Sequence, residues 1–187
     1  FMKNYIITLG LLTFTYASIL AQSENSHPEV MKKIREQCEK INQDIKKFQS
    51  SEDKMYEYIR VNEVSIDKYK SQNHPALGQK NSTITFYYYT GDYDFNEGDD
   101  LLFKIERVNN IAAHQEYFEY YFNMDNQLIF YFEAPAYSEN VEFRLYFNNE
   151  QLIEYRENSE IYKEEHLTKS HFNKASSTQD ASRKHFW

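Results

Sequence analysis

One pattern occurs three times in the second half of the chain: an aromatic-rich run, a turn, then an apolar run ending in an acidic residue. The second runs align without gaps as Leu101-Leu102-Phe103-Lys104-Ile105-Glu106, Leu128-Ile129-Phe130-Tyr131-Phe132-Glu133 and Leu152-Ile153-Glu154-Tyr155-Arg156-Glu157. The first runs of the last two copies also match, Tyr121-Phe122-Asn123 against Tyr146-Phe147-Asn148. A unit this short cannot bury its own apolar face, so the copies must pair with one another. The pattern predicts an antiparallel β-meander of about six strands built from three hairpin repeats. The strands pair as Ser82–Tyr89 with Leu101–Val108, Glu116–Asn123 with Gln127–Glu133, and Asn140–Phe147 with Gln151–Arg156. Met124-Asp125-Asn126 and Asn149-Glu150 are short and polar, as tight turns between adjacent strands require.

Alternation sorts these strands into two faces, because successive side chains point to opposite sides. Phe118, Tyr120 and Phe122 oppose Tyr117, Glu119 and Tyr121, while Val141, Phe143, Leu145 and Phe147 oppose Glu142, Arg144 and Tyr146. The more apolar set is expected to face a covering helix, and the tyrosine-bearing set to face outward. The run Gln127–Glu133 is apolar on both sides, which predicts a central, covered strand. The run Gln151–Arg156, with Glu154 and Arg156, predicts a charged sheet edge.

The covering element is legible further upstream. Met31, Ile34, Cys38, Ile41, Ile45 and Phe48 recur at spacings of three and four, the period of one helical stripe. Pro28 suits the first turn, where its missing N–H is not needed. These features predict a helix over 28–48 packed on the meander of 82–157, an α+β class. Between them, Tyr56, Tyr58, Val61, Val64, Ile66 and Tyr69 suit either a strand or a helix over 55–70. Residues 163–187, rich in Ser, Asn, Lys and Thr, read as a flexible tail after a single domain of 22–162.

Residues 1–21 have the order of a secretory signal: Lys3, an apolar stretch from Ile6 to Leu20, and the small Ala21 before polar residues. The expectation is an exported protein, periplasmic or extracellular, with no transmembrane span after signal removal. With 29 acidic against 21 basic residues and a formal charge of −8, the chain repels phosphate backbones, so nucleic acid is not an expected partner. Cys38 is the single cysteine, so no intramolecular disulfide can form, and its place on the helical stripe makes it a small core residue.

Motifs that carry chemistry are few. Asp92, Asp94 and Asn96 have the one-three-five spacing by which oxygen donors converge on calcium, although Glu97 and Phe103 stand where an EF-hand needs its turn glycine and last carboxylate. The histidines His27, His74, His114, His166, His171 and His185 are scattered without zinc-binding spacing. There is no nucleophile elbow, and four glycines leave no phosphate-cradling loop, so no cofactor and no catalytic residue are expected. Carboxylates that meet only in space leave a hydrolase of envelope polymers open as an alternative.

Tyrosine is the unusual component, with seventeen in the chain. An apolar ring with a hydroxyl suits ligand contact, making Tyr87, Tyr89, Tyr117, Tyr121 and Tyr146 candidate binding residues for a protein, peptide or glycan. The same rings suit cross-strand packing with no ligand at all. Both roles are open at this point.

The stretch Ile34-Arg35-Glu36-Gln37-Cys38-Glu39-Lys40-Ile41-Asn42, followed by Tyr120-Tyr121-Phe122 with Gln127-Leu128-Ile129-Phe130 and Tyr146-Phe147 with Gln151-Leu152-Ile153, resembles a group of uncharacterised bacterial exported proteins. These have an N-terminal Ile-Arg-x-x-Tyr-x-x-Ile-Asn helix and Tyr-Tyr-Phe…Leu-Ile hairpins. The resemblance spans roughly residues 30–157 and rests on structural motifs. Cys38 replaces the usual aromatic, and Asp-Asn and Asn-Glu replace Asn-Gly turns. It implies export and a helix-plus-meander fold, and brings no catalytic residues. MORN-type repeats share the two-strand unit but need regularly placed glycines, which this chain lacks.

Overall fold

A computed structural model describes residues 27–50, 58–67, 80–90, 100–111, 114–136 and 141–184. The expected signal segment, residues 68–79 and the acidic stretch with Asp92, Asp94 and Asn96 lie outside the described residues. Helix α1 covers 27–50. It is followed by β1 (Ile59–Asp67), β2 (Lys80–Tyr89), β3 (Leu101–Ile111), β4 (His114–Phe122), β5 (Leu128–Ala134), β6 (Phe143–Asn148), β7 (Gln151–Glu157) and β8 (Glu160–Lys163). A 3₁₀ turn at Glu164–His166 leads to α2 (Lys169–Arg183). The strands form one antiparallel sheet in sequence order, β1 through β8.

The meander is therefore present, with eight strands in place of six. The ambiguous 55–70 segment supplies β1, where Val61, Val64 and Ile66 favour the pleated state. A short β8 pairs outside β7, so the expected charged edge at Gln151–Arg156 is an interior strand. Residues expected as a loose tail instead form α2, which packs against β5 and β7. Composition hides this helix because its sheet-facing residues are Ala175, Thr178 and Ser182, too small and polar to read as an apolar stripe. Polar contacts fix it in place. Lys174 pairs with Glu133, Gln179 donates to the Glu150 carbonyl at 2.7 Å, and the His171 ring stacks on Tyr155 at 4.3 Å.

The repeat is visible in the register. Each hairpin carries one β-bulge at the same place: between Tyr87 and Tyr88 against β3, Tyr121 and Phe122 against β5, and Tyr146 and Phe147 against β7. The equivalent positions are thus Leu102, Leu128 and Leu152, which shifts the first copy by one residue from the gapless sequence alignment. After each leucine comes the bulge pair, Phe103-Lys104, Ile129-Phe130 and Ile153-Glu154, with both members turned toward α1. A bulge inserts one residue and breaks the period of two at that point.

Two apolar clusters result, one on each side of the sheet. Under α1 lie Met31, Ile34, Ile41 and Ile45 against Ile59, Tyr89, Leu101, Phe103, Ile129 and Ile153. On the α2 side lie Ile105, Phe122, Leu145 and Phe147, of which Ile105 and Leu145 are wholly buried. Burial of each such side chain contributes about 1.5–3 kcal/mol. The arrangement corrects the expected facing: Tyr120, Phe122, Leu145 and Phe147 turn away from α1, and the tyrosine-bearing set lies beneath it. The reason is that eight strands have two sides to cover, and both helices contribute.

Candidate functional site

α1 runs across the strands. Arg35 near its start reaches Glu154 of β7 at 4.0 Å, Asn42 meets Lys104 and Tyr121 of β3 and β4, and Asp44 accepts from the Tyr89 hydroxyl of β2 at 3.1 Å. It therefore covers only one end of the sheet. Along its edge the bulges place a row of side chains in which Tyr87, Lys104, Tyr121, Phe130, Tyr146 and Glu154 are neighbours across successive strands.

Lys104 is the centre of this row and is 3% exposed. Its ammonium donates to Glu119 at 2.8 Å and Asn42 at 3.0 Å, and pairs with Glu106 at 2.6 Å. It also lies over the Tyr121 ring at 4.8 Å. Burial disfavours the charge on Lys104, but Glu119 and Glu106 more than offset this, so its pKa is raised above the ordinary lysine value. The carboxylates are engaged as well. Tyr87 donates to Glu106 at 3.1 Å, Tyr117 to Glu119 at 2.8 Å, and Tyr121 is within reach of both Asn42 and Glu119. Burial and these carboxylates hold Tyr87 up at about 12 and push Tyr117 and Tyr121 higher still. The Cys38 thiol beside them is pushed up to about 12 by burial and by Glu119. A buried charge satisfied on all sides is a structural joint between helix and sheet.

Beyond α1 the same face continues as a half-buried shelf. One row of it, read across the strands, is Glu106, Glu119, Phe132, Arg144 and Arg156. Tyr117 packs edge-on against Phe132 at 6.1 Å, and the Arg144 guanidinium lies over the Phe132 ring at 5.3 Å. Arg144 pairs with Glu142, and Arg156 donates to Glu154 at 2.5 Å. Among the described residues α1 is the one helix on this face.

The five candidate tyrosines thus divide. Tyr87, Tyr89, Tyr121 and Tyr146 are buried beneath α1 and offer no ring to solvent, which corrects the expectation that their face is outward. Tyr117 alone is half-buried on the shelf. Sequence reasoning missed Lys104, Glu106, Phe132, Arg144 and Arg156 as a group. The available signal was that alternation already puts Glu119 and Arg144 on the side of Tyr117, Tyr121 and Tyr146. The calcium candidates Asp92, Asp94 and Asn96 lie outside the described residues, and among those described no three His, Cys, Asp or Glu side chains cluster as a metal site. Also among the described residues, no helix is long and apolar enough to cross a membrane. No protein-family model, curated protein or solved structure matches the chain.

Proposed function

We propose that this chain is an exported, non-catalytic protein of the cell envelope that binds a protein, peptide or glycan on the shelf beside α1. The observation that carries this reading is the row Glu106, Glu119, Phe132, Arg144, Arg156, half-buried and flanked by Tyr117. Aromatic rings with arginine are the composition enriched at recognition surfaces. The reading of export rests on residues 1–21. Binding is favoured over hydrolysis by the state of the carboxylates: Glu106 and Glu119 are both tied to Lys104 and accept from tyrosine hydroxyls, which commits them to the joint between helix and sheet. The recognition surface is thereby moved from the tyrosine row, which α1 occupies, to the adjoining shelf.

The test compares wild-type protein with Phe132→Asp, both immobilised and offered envelope extracts and a panel of envelope polysaccharides. The variant is expected to lose what the wild type retains. Equal retention by both proteins, or nothing retained by the wild type, overturns the assignment of this face.

A further inference from the structure

The shelf has an order of charge, not merely a supply of it. Glu106 and Glu119 share one cation, Lys104, which leaves the β3–β4 side negative. Arg144 and Arg156, with Arg35 reaching down from α1, face Glu142 and Glu154, which leaves the β6–β7 side positive. Phe132 stands at the midpoint. The α1 dipole has the same polarity: its N-terminal half lies over β6 and β7, and its C-terminal half over β3 and β2.

Resting on the binding role proposed above, we propose that the shelf seats an α-helix of a partner protein. That helix runs antiparallel to α1, basic in its first half, acidic in its second, with an apolar side chain against Tyr117 and Phe132. Its positive N-terminus then lies over Glu106 and Glu119, and its negative C-terminus over Arg144 and Arg156. Both its dipole and its side-chain charges complement the row. The length of the row suits a helix. From β3 to β7 is four strand spacings, about 19 Å, which about 13 helical residues cover. Beyond the row, β3 runs on from Glu106 to Ile111 and β4 back from Glu119 to His114, wide enough for a helix about 10 Å across, whereas β5, β6 and β7 end at Ala134, Phe143 and Glu157, so the second half of the docked helix lies along the end of the sheet. The charges are already held by neighbours in the sheet, so little side-chain freedom is lost when the helix docks.

The probe is a pair of labelled synthetic helical peptides of identical composition and apolar stripe. One has lysines first and glutamates last; the other has the reverse order. Fluorescence anisotropy against the full chain is expected to show the first binding at least tenfold more tightly, and Arg144→Ala is expected to narrow that ratio. On the wild-type protein, amide shift changes are expected in β3 to β7 on peptide addition, a readout that does not depend on a variant folding. Equal affinity for the two peptides, binding of neither, or shifts confined to the α2 side overturns the helix assignment. If polysaccharide or extended peptide is retained in a Phe132-dependent way while neither helix binds, the binding face stands and only its occupant changes.

Discussion

Raising the pH tests the buried phenols directly. Tyr87, Tyr120, Tyr121, Tyr131 and Tyr155 are each buried, and all five have pKa values above the ordinary tyrosine value of 10.0. Burial is the largest cause in every case, and nearby carboxylates add to it, with Tyr131 donating to Glu133 at 2.6 Å. In the unfolded chain these groups ionise from pH 10 upward, while in the fold they stay protonated, to about 12 for Tyr87 and Tyr155. The folded state therefore binds more protons above pH 10, and stability is lost as pH rises through that window. Each phenol that stays protonated contributes about 1.4 kcal/mol per pH unit, so Tyr87, Tyr121, Tyr131 and Tyr155 together give a slope of up to about 5.5 kcal/mol per unit, and Tyr120 adds in the same direction. Lys104, whose pKa is also raised, acts in the same direction. Against a stability of about 5–15 kcal/mol, cooperative unfolding falls between about pH 10.5 and 12. The assay follows phenolate absorbance and far-UV circular dichroism together through an alkaline titration. Coincident, steep transitions are expected. A gradual phenolate rise centred near pH 10, with the dichroism unchanged, would refute the argument that these hydroxyls are sealed.

Two substitutions probe the joint and the turn. Lys104→Met leaves Glu106 and Glu119 uncompensated under α1 and is expected to cost about 3–5 kcal/mol in urea denaturation; a loss below about 1 kcal/mol would mean that water, not Lys104, satisfies the carboxylates. Glu150→Gly is expected to stabilise by about 0.5–1 kcal/mol, because Glu150 sits at φ 64 in the two-residue turn with Asn149 at φ 47, a region that penalises a Cβ. The pair it forgoes with Arg183 is exposed on both sides and contributes little. A lower melting temperature for this variant would show that the contact with α2 outweighs the backbone strain.

Which parts of the architecture could be read from residues alone follows from which signals are periodic. α1 was legible because Met31, Ile34, Ile41 and Ile45 keep a helical period without interruption, and all four are buried. The hairpins were legible because Asn149-Glu150 and Met124-Asp125-Asn126 supply turns of the right length, with Asn126 and Asn149 in the left-handed region. α2 was not, since Ala175, Thr178 and Ser182 carry no hydropathy signal and the helix is held by contacts made at distance in the chain, such as Lys174 with Glu133. Similarly, β1 lacked a deciding signal: five of its residues, Arg60, Asn62, Glu63, Val64 and Ser65, are exposed, so burial imposed no strict alternation on them.

The candidate site was hidden for a different reason, which the bulges supply. Strict alternation through Phe103-Lys104-Ile105-Glu106 would put Lys104 and Phe103 on opposite faces, and a lysine opposite a phenylalanine reads as a solvent-facing charge. The bulge turns both toward α1, so Lys104 enters the covered face beside Tyr121, and Glu106 and Glu119 must follow it there to neutralise it. The equivalent position holds Phe130 in the second hairpin and Glu154 in the third. One backbone feature repeated three times thus presents a base, an aromatic and an acid in order along α1. The next row answers with acids at Glu106 and Glu119, an aromatic at Phe132 and bases at Arg144 and Arg156, the inverse order. Each charged bulge residue is met by opposite charges one row away, and that inversion is why the shelf carries a field of defined direction instead of a neutral mixture.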